Sequence, residues 1–153
     1  MDAINDAIDL EPPRFEERKS FLLAGLVGRY NTRRIEGIPA QWGRFGPYIG
    51  KVPGQVAPAT YGVCFNFDGA GNMDYLCGVE ISGDAALSEP LAELRIAERR
   101  YAVFRHRDDL SKIRLTWRAI FGQWAPTSGY TLATAPQLEV YTDGVEIWIP
   151  LEG

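Results

Sequence analysis

The sequence predicts an α+β domain in which antiparallel strands form a sheet and two helices cover one side of it. Two observations support this fold class. The order strand, helix, hairpin occurs twice, over about residues 14–82 and 91–151, so each half is a β-α-β-β unit. Each half also has a turn sequence between two short apolar segments, DGAGN at 68–72 and Asp143-Gly144. The halves share this order but no residue identity, so the repeat is one of pattern.

The first half follows an acidic segment, residues 1–13, which we expect to be a flexible leader to a single domain over 14–153. Residues 14–29 are strand-like, and Asn31-Thr32 is a candidate helix cap. Apolar residues then recur at helical spacing, which predicts a helix that buries Ile35, Ile38, Trp42, Phe45 and Ile49. Strands at 60–67 and 73–82 complete this half.

The second half begins with a predicted strand from Leu91 to Arg107. A helix capped by Asp109 or Ser111 follows, with apolar positions at Leu110, Ile113, Trp117, Ile120, Phe121 and Trp124. Residues 125–135 are predicted to form a loop. The chain then forms a hairpin of two strands, 137–142 and 145–151.

The composition is that of an ordinary globular protein and argues against several classes. The 153 residues are 46% hydrophobic and 24% charged, and the formal net charge is −4. Domains that bind nucleic acid usually have a basic excess, so this charge does not support DNA binding. There is no apolar run long enough for a membrane span and no secretory signal, and two cysteines are too few for a disulfide scaffold. We therefore expect a cytoplasmic protein without a membrane partner.

The C-terminal hairpin contains the strongest candidate for a binding site. A two-residue turn at Asp143-Gly144 would pair Glu139 with Trp148 and Tyr141 with Glu146, which places these four side chains on one face. The opposite face would be apolar and pack under the helices, through Leu138, Val140, Ile147 and Ile149. Two acids and two aromatic rings fit either a solvated surface or the floor of a pocket for a flat or cationic molecule.

The faces of the first hairpin depend on the length of its turn. If Phe67 pairs with Met73, Gly62 and Gly78 share the face opposite Tyr75 and leave room for a ligand to approach the backbone. A shift of one residue would instead turn the aromatic side chains of this hairpin toward the pocket. The sequence leaves both registers open.

Other chemistry has little support. His106 is the only histidine and no phosphate-binding loop is present, so we expect no metal and no cofactor. A nucleophilic pair of Cys64 and His106 has no supporting residues, and Cys64 fits a core position better. The indoles at helical spacing, Trp42, Trp117 and Trp124, are also more typical of a core than of a pocket.

The motifs of both halves resemble the GyrI-like (gyrase-inhibitor-like) effector-binding domains, which also occur fused to AraC-type and MerR-type transcription regulators. The second half contains, in order, ERRYAVFRHRDDL, TWRAIFGQWAPTSGY, PQLEVYTDG and VEIWIPL, and the first half contains TYGVCFNFD and DYLCGVEI. The similarity extends from about Arg14 to Leu151. It implies a ligand cleft between the halves, with the family's acidic pocket residue at Glu139 in the motif Glu139-Val140-Tyr141.

The resemblance implies a small hydrophobic ligand, cationic in some members, that is sensed or sequestered as a drug or toxin. The candidate ligand-binding residues are Glu139, Tyr141, Trp148, Glu146, Gly62 and Gly78. Two alternatives are hydrolysis of strained toxic electrophiles by Glu139 and a protein-interaction role such as topoisomerase modulation. Binding is favoured over catalysis because no second catalytic group accompanies Glu139. The chain lacks the additional roughly 50–100 residues of a helix-turn-helix domain, so direct DNA binding is not expected.

Overall fold

A computed structural model describes residues 9–152, which form an eight-stranded antiparallel sheet and two short α-helices. The strands are β1 (Arg14–Arg18), β2 (Phe21–Asn31), β3 (Gln55–Phe65), β4 (Asn72–Ile81), β5 (Ala92–Ile96), β6 (Arg99–His106), β7 (Gln137–Tyr141) and β8 (Val145–Leu151). The helices are α1 (Ile38–Phe45) and α2 (Ile113–Ala119), and a π-helical turn, Ile120–Trp124, extends α2. No helix in this part of the chain is long and apolar enough to cross a membrane.

The strand order gives the sheet an approximate twofold symmetry. The order is β1-β6-β8-β7-β3-β4-β2-β5, with β7 and β3 at the centre and equivalent strands on either side. The edge strands are exchanged between the halves, because β1 pairs with β6 and β5 pairs with β2. Since β1 and β2 are joined by only two residues, the two edges of the sheet approach each other and the sheet curls into a half-barrel. This architecture confirms the predicted α+β class with duplicated β-α-β-β units.

Apolar side chains are buried on both faces of the curled sheet. Six strands contribute to a cluster on the concave face, which consists of Phe21, Leu23, Tyr61, Val63, Phe65, Leu76, Ile96, Tyr101, Val103, Leu138 and Val140. On the convex face, Phe45 of α1 packs with Cys77 and Val79, and Ile120 packs with Phe104 and Ile149. Because side chains alternate along a strand, these contacts place both helices on the same face, as predicted.

The prediction of one strand from Leu91 to Arg107 is wrong, because this segment forms two strands, β5 and β6. Ile96 pairs with Phe21 of β2, whereas Arg99 pairs with Arg18 of β1. The two intervening residues therefore carry the chain from one edge of the sheet to the other. An apolar pattern alone does not reveal such a crossing.

The first helix begins at Ile38 rather than directly after Asn31-Thr32. The Asn31 side chain accepts a hydrogen bond from the Arg33 backbone NH (3.0 Å), so it stabilises a local turn instead of capping a helix. Pro39 occupies the first turn of α1, where its missing NH has no intrahelical partner to lose.

The turn of the C-terminal hairpin is one residue longer than predicted. Tyr141 pairs with Val145 and Glu139 pairs with Ile147, so Thr142 to Gly144 form the connection. Gly144 does not adopt the positive φ that a two-residue type I′ turn requires. The register is displaced by one residue, which exchanges the faces of the β8 side chains relative to those of β7.

Most of the predicted leader, residues 1–8, lies outside the described residues. The remainder contacts the domain: Leu10 packs against the apolar cluster beneath α2, and Glu11 forms an ion pair with Arg107. Residues 9–13 therefore lie beside the second half of the sheet.

Candidate functional site

A cavity of about 1020 Å³ lies between α1 and α2 on the convex face of the sheet. Side chains of β3, β4 and β7 form its floor, and the two helices with their preceding loops form its walls. Its central polar and aromatic residues are Trp42, Tyr75, Trp117, Phe121, Glu139 and Tyr141. The volume is at the upper end of the range for small-molecule sites.

Glu139 lies on the floor of this cavity and is only 9% exposed. Its Oε1 accepts hydrogen bonds from the hydroxyls of Tyr141 (2.7 Å) and Tyr75 (3.2 Å). Its Oε2 accepts a hydrogen bond from Trp117 Nε1 (2.8 Å). The carboxylate is therefore held by groups from β7, β4 and α2, and each of the three donors is itself part of the cavity lining.

No Lys, Arg or His of the described residues forms an ion pair with the Glu139 carboxylate, and the electrostatic influence of His106 favours its charged form. Loss of solvation on burial raises the pKa of this carboxyl above its ordinary value, although the three hydrogen bonds favour the charged form. Burial, together with the nearby carboxylate, also raises the pKa of the Tyr75 and Tyr141 hydroxyls. Both tyrosines therefore keep their protons at physiological pH and remain donors.

Indole rings from the two helices flank the buried acid. Trp42 donates from Nε1 to the Tyr75 hydroxyl (3.0 Å) and packs edge-on against Tyr141, with 5.5 Å between ring centroids. Trp117 stacks on Phe121 one turn further along, with centroids 6.1 Å apart and an interplanar angle of 4°. The cavity thus presents aromatic surface on both sides of a carboxylate, an arrangement suited to cations with apolar substituents.

The mouth of the cavity combines exposed apolar side chains with exposed charges. The large apolar residues exposed there are Ile49, Phe67, Leu110 and Phe121. The charged residues there are Arg33, Glu36, Arg114 and Arg118. Exposed apolar surface that is continuous with a concave pocket is typical of a binding site.

Gly62 provides the space that the Glu139 side chain and its tyrosine partner occupy. It pairs with Glu139 across β3 and β7. A Cβ atom at this position would lie 2.2 Å from the Tyr75 hydroxyl oxygen and 2.8 Å from Glu139 Oε1. Gly62 is therefore adjacent to the site and beneath it, where the absence of a side chain permits the hydrogen bond between Tyr75 and Glu139.

Glu146 and Trp148 lie on the opposite face of the sheet from Glu139, so the prediction that they share its face was wrong. Trp148 packs on the concave side against Tyr101, with 5.4 Å between centroids. Glu146 accepts two hydrogen bonds from Arg14 (2.8 and 3.1 Å), which lower the pKa of its carboxyl. The three-residue turn is the physical cause of this exchange of faces.

The register of the first hairpin also differs by one residue from the pairing of Phe67 with Met73. Cys64 pairs with Tyr75, which places Tyr75 and Gly62 on the cavity side, as in the alternative register considered from the sequence. Gly78 pairs with Tyr61 on the concave face, and a Cβ there would meet the Ala24 carbonyl oxygen at 2.5 Å. The prediction that Gly62 and Gly78 share a face was therefore wrong, and Gly78 instead allows close approach of β2 and β4.

Trp42 and Trp117 line the cavity, although helical spacing alone favoured a core position for them. Trp124 does pack inward, edge-on against Phe104 with 5.0 Å between centroids. A signal in the sequence distinguishes the first two. Each helix begins with an isoleucine that is followed four residues later by tryptophan, Ile38 to Trp42 and Ile113 to Trp117. Equivalent positions in two pseudo-symmetric helices face the same cleft.

The cavity favours recognition over metal or thiol chemistry. Among residues 9–152, no group of three His, Cys, Asp or Glu side chains lies close enough to hold a metal ion. Cys64 lines the cavity, but burial and the nearby Glu139 raise the pKa of its thiol, so it is protonated and weakly nucleophilic. The remaining chemical resource is a buried acid surrounded by aromatic rings.

Comparison with known proteins identifies relatives of this chain. One curated relative is the transcriptional regulator BrlR of Pseudomonas aeruginosa, 24% identical over 129 residues that cover 84% of this chain and 47% of BrlR. The chain thus spans about half the length of that relative.

Solved structures share the fold. A structure of SAV2435 bound to tetraphenylphosphonium has a TM-score of 0.77 at 20% identity and covers 95% of both chains. A transcription regulation protein from Staphylococcus aureus MU50 has a TM-score of 0.73 at 21% identity, covering 96% of this chain and 100% of the other. A hydrolase from Listeria innocua has a TM-score of 0.55 at 8% identity, covering 99% and 97%. The family model of the GyrI-like small molecule binding domain matches residues 11–152, and the chain therefore belongs to that family.

Proposed function

We propose that this domain binds hydrophobic organic cations between α1 and α2, with Glu139 as the counter-ion. The observation that supports this most directly is a buried carboxylate that has three hydrogen-bond donors and forms no ion pair with a Lys, Arg or His side chain among residues 9–152. Burying a charge without a counter-charge is unfavourable, so a bound cation would stabilise the ionised form of Glu139.

The shape and surface of the cavity select the kind of cation. A small, strongly hydrated cation would lose its water on entering an aromatic cavity, whereas an ion whose charge is shielded by apolar groups loses little. Trp42 and Trp117 offer ring faces for such groups, and cation–π attraction adds to the attraction of the carboxylate. Exposed Phe67 and Phe121 extend the apolar surface to the mouth.

Two relatives support this proposal. SAV2435, which shares the fold, was solved with bound tetraphenylphosphonium, a cation of the proposed kind. BrlR is a transcriptional regulator, and this chain corresponds to about half of it. We therefore propose that the domain senses or sequesters hydrophobic cationic compounds, with any transcriptional output supplied by a further domain or partner.

A matched pair of ions tests the proposal. Tetraphenylphosphonium and tetraphenylborate have nearly the same size and apolar surface but opposite charge. In isothermal titration calorimetry, the purified chain should bind the phosphonium ion with one site and bind the borate at least tenfold more weakly. Equal affinity for both ions would show that the charge of Glu139 does not contribute to ligand binding. Absence of phosphonium binding would refute the proposed function.

Hydrolysis of strained electrophiles is a second candidate, because burial raises the pKa of Glu139 and so retains a proton that could be donated to a leaving oxygen. The Cys64 thiol and the Tyr75 and Tyr141 hydroxyls also line the cavity, but their pKa values are raised, so all three keep their protons at neutral pH. Incubation with aromatic epoxides, followed by mass spectrometry, should give no diol beyond one equivalent of protein. Multiple turnovers that disappear in Glu139→Gln would establish the hydrolase instead.

A further inference from the structure

Three arginines lie at the mouth of the cavity, above the buried acid. Arg33 belongs to the loop before α1, and Arg114 and Arg118 belong to α2. All three residues are exposed, and none of their guanidinium groups forms an ion pair with an acid of residues 9–152. The three arginines form the rim of the cavity together with Glu36, which is the single exposed acid in the cavity lining. The rim is therefore positive in a chain whose formal net charge is −4.

The two arginines of α2 are placed where they repel each other. Arg114 and Arg118 are four residues apart and therefore neighbours on one helix face, where like charges repel and destabilise a helix. Trp117 lies between them in sequence and reaches down to Glu139. The same wall thus presents positive charge at its top and an anionic group at its base.

A ligand that carries only positive charge would meet a repulsive rim before it reached Glu139. A ligand with a cationic aromatic part and an anionic group at its other end would match both charges at once. Both charges line one cavity of about 1020 Å³, with buried Glu139 on its floor and the exposed arginines in its walls. Exposed guanidinium groups are well suited to carboxylate, sulfonate or phosphate.

We infer that the preferred ligands of this domain are aromatic zwitterions. Their cationic centre lies over Glu139, and their anionic group contacts Arg114 and Arg118, with Arg33 on the facing wall. This inference rests on the proposed function, because it uses the same cavity and the same counter-ion, and it adds a specificity for the second charge.

Two fluorescent dyes that differ in one group provide the test. Rhodamine 110 has a cationic xanthene and a free carboxylate, and rhodamine 123 is its methyl ester, which has the same cation without the anion. Fluorescence anisotropy at low salt should show the acid binding about three- to tenfold more tightly than the ester, since each exposed ion pair contributes modestly. The preference should decrease toward unity as added salt screens the exposed rim.

Substitution of the rim identifies the source of the preference. The double variant Arg114→Gln with Arg118→Gln should abolish the preference. It should bind the acid dye more weakly than wild type does, and the ester dye equally tightly or more tightly. Arg34→Gln with Arg95→Gln removes the same charge from exposed arginines outside the cavity lining and should preserve the preference.

Three results would overturn the inference: a wild-type protein that binds the ester as tightly as the acid, a control variant that loses the preference equally, or binding of tetraphenylphosphonium with neither dye bound. Failure to bind tetraphenylphosphonium as well would instead show that the proposed function is wrong.

Discussion

Replacement of Glu139 by glutamine removes the charge of the proposed counter-ion while preserving its shape. The glutamine Oε1 can accept the hydrogen bond from Trp117, and its Nε2 can donate to the hydroxyls of Tyr75 and Tyr141, which reverse their direction. The glutamine thus keeps a hydrogen bond to each of the three groups, while the two tyrosine hydroxyl hydrogens lose Glu139 as their acceptor. A change in ligand affinity then reports the charge and not a collapse of the cavity.

The size of the effect follows from the electrostatics of a partly buried pair. A cation centred roughly 6 Å from the carboxylate, with an effective dielectric constant of about 20, is attracted by about 3 kcal/mol. The raised pKa of Glu139 means that part of this energy is used to ionise the carboxyl, which lowers the net gain. We expect Glu139→Gln to weaken the binding of tetraphenylphosphonium by about 1–3 kcal/mol, or roughly 5- to 150-fold in Kd.

The measurement is calorimetric titration of wild-type protein and two variants. Glu146→Gln is the matched control, because Glu146 is on the adjacent strand but faces the opposite side and pairs with Arg14. Its affinity for tetraphenylphosphonium should stay within twofold of wild type. Tetraphenylborate should bind Glu139→Gln no more weakly than it binds wild type. A Glu139→Gln variant with unchanged phosphonium affinity, or an equal loss in Glu146→Gln, would refute the reasoning.

Three further predictions use other measurements. Because burial raises the Glu139 pKa, this group's contribution to the free energy of unfolding is present below the ordinary glutamate pKa and is lost as pH rises through the folded value. The melting temperature of Glu139→Gln without ligand should therefore rise relative to that of wild type as pH increases from the ordinary glutamate pKa through the folded pKa of Glu139. A difference between the two melting temperatures that does not change with pH would contradict this prediction. Gly62→Ala should weaken tetraphenylphosphonium, since its methyl group would separate Tyr75 from Glu139; unchanged affinity would show that the contact is dispensable. The chain should not shift duplex DNA in gels at physiological salt, and tight, salt-sensitive binding would disprove this.

The sequence was sufficient to predict the fold because that prediction depends on periodicity and order. Helical spacing from Ile35 to Ile49 and from Leu110 to Trp124 marked the two helices, which are shorter in the structure, and the repeated order of elements indicated their common face. These signals involve many residues, so an error of one or two positions at an element boundary does not change the architecture.

The composition of the site was harder to predict because it depends on two turns. Each hairpin is displaced by one residue from the pairing first derived, and a period of two converts that displacement into an exchange of faces. Glu139 and Tyr141 stay together because they lie on one strand. The same displacement places Glu146 outside the site that the sequence predicted and Tyr75 inside it. The Asp143-Gly144 pair alone does not determine the φ of Gly144, which decides whether a two-residue type I′ turn forms.

The contrast between the acids of this sheet supports a functional role for the one that lacks a partner. Three partly buried acids on other strands each have an arginine within ion-pairing distance: Glu80 with Arg18 (2.9 Å), Asp74 with Arg29 (3.1 Å) and Glu146 with Arg14 (2.8 Å). Glu139 is the most deeply buried of these acids, so loss of solvation disfavours its charged form most. The chain has 16 lysine and arginine residues, yet none of those among residues 9–152 forms an ion pair with Glu139. The described structure instead surrounds Glu139 with neutral hydrogen-bond donors and an open aromatic cavity, which supports the proposal that a ligand supplies the positive charge.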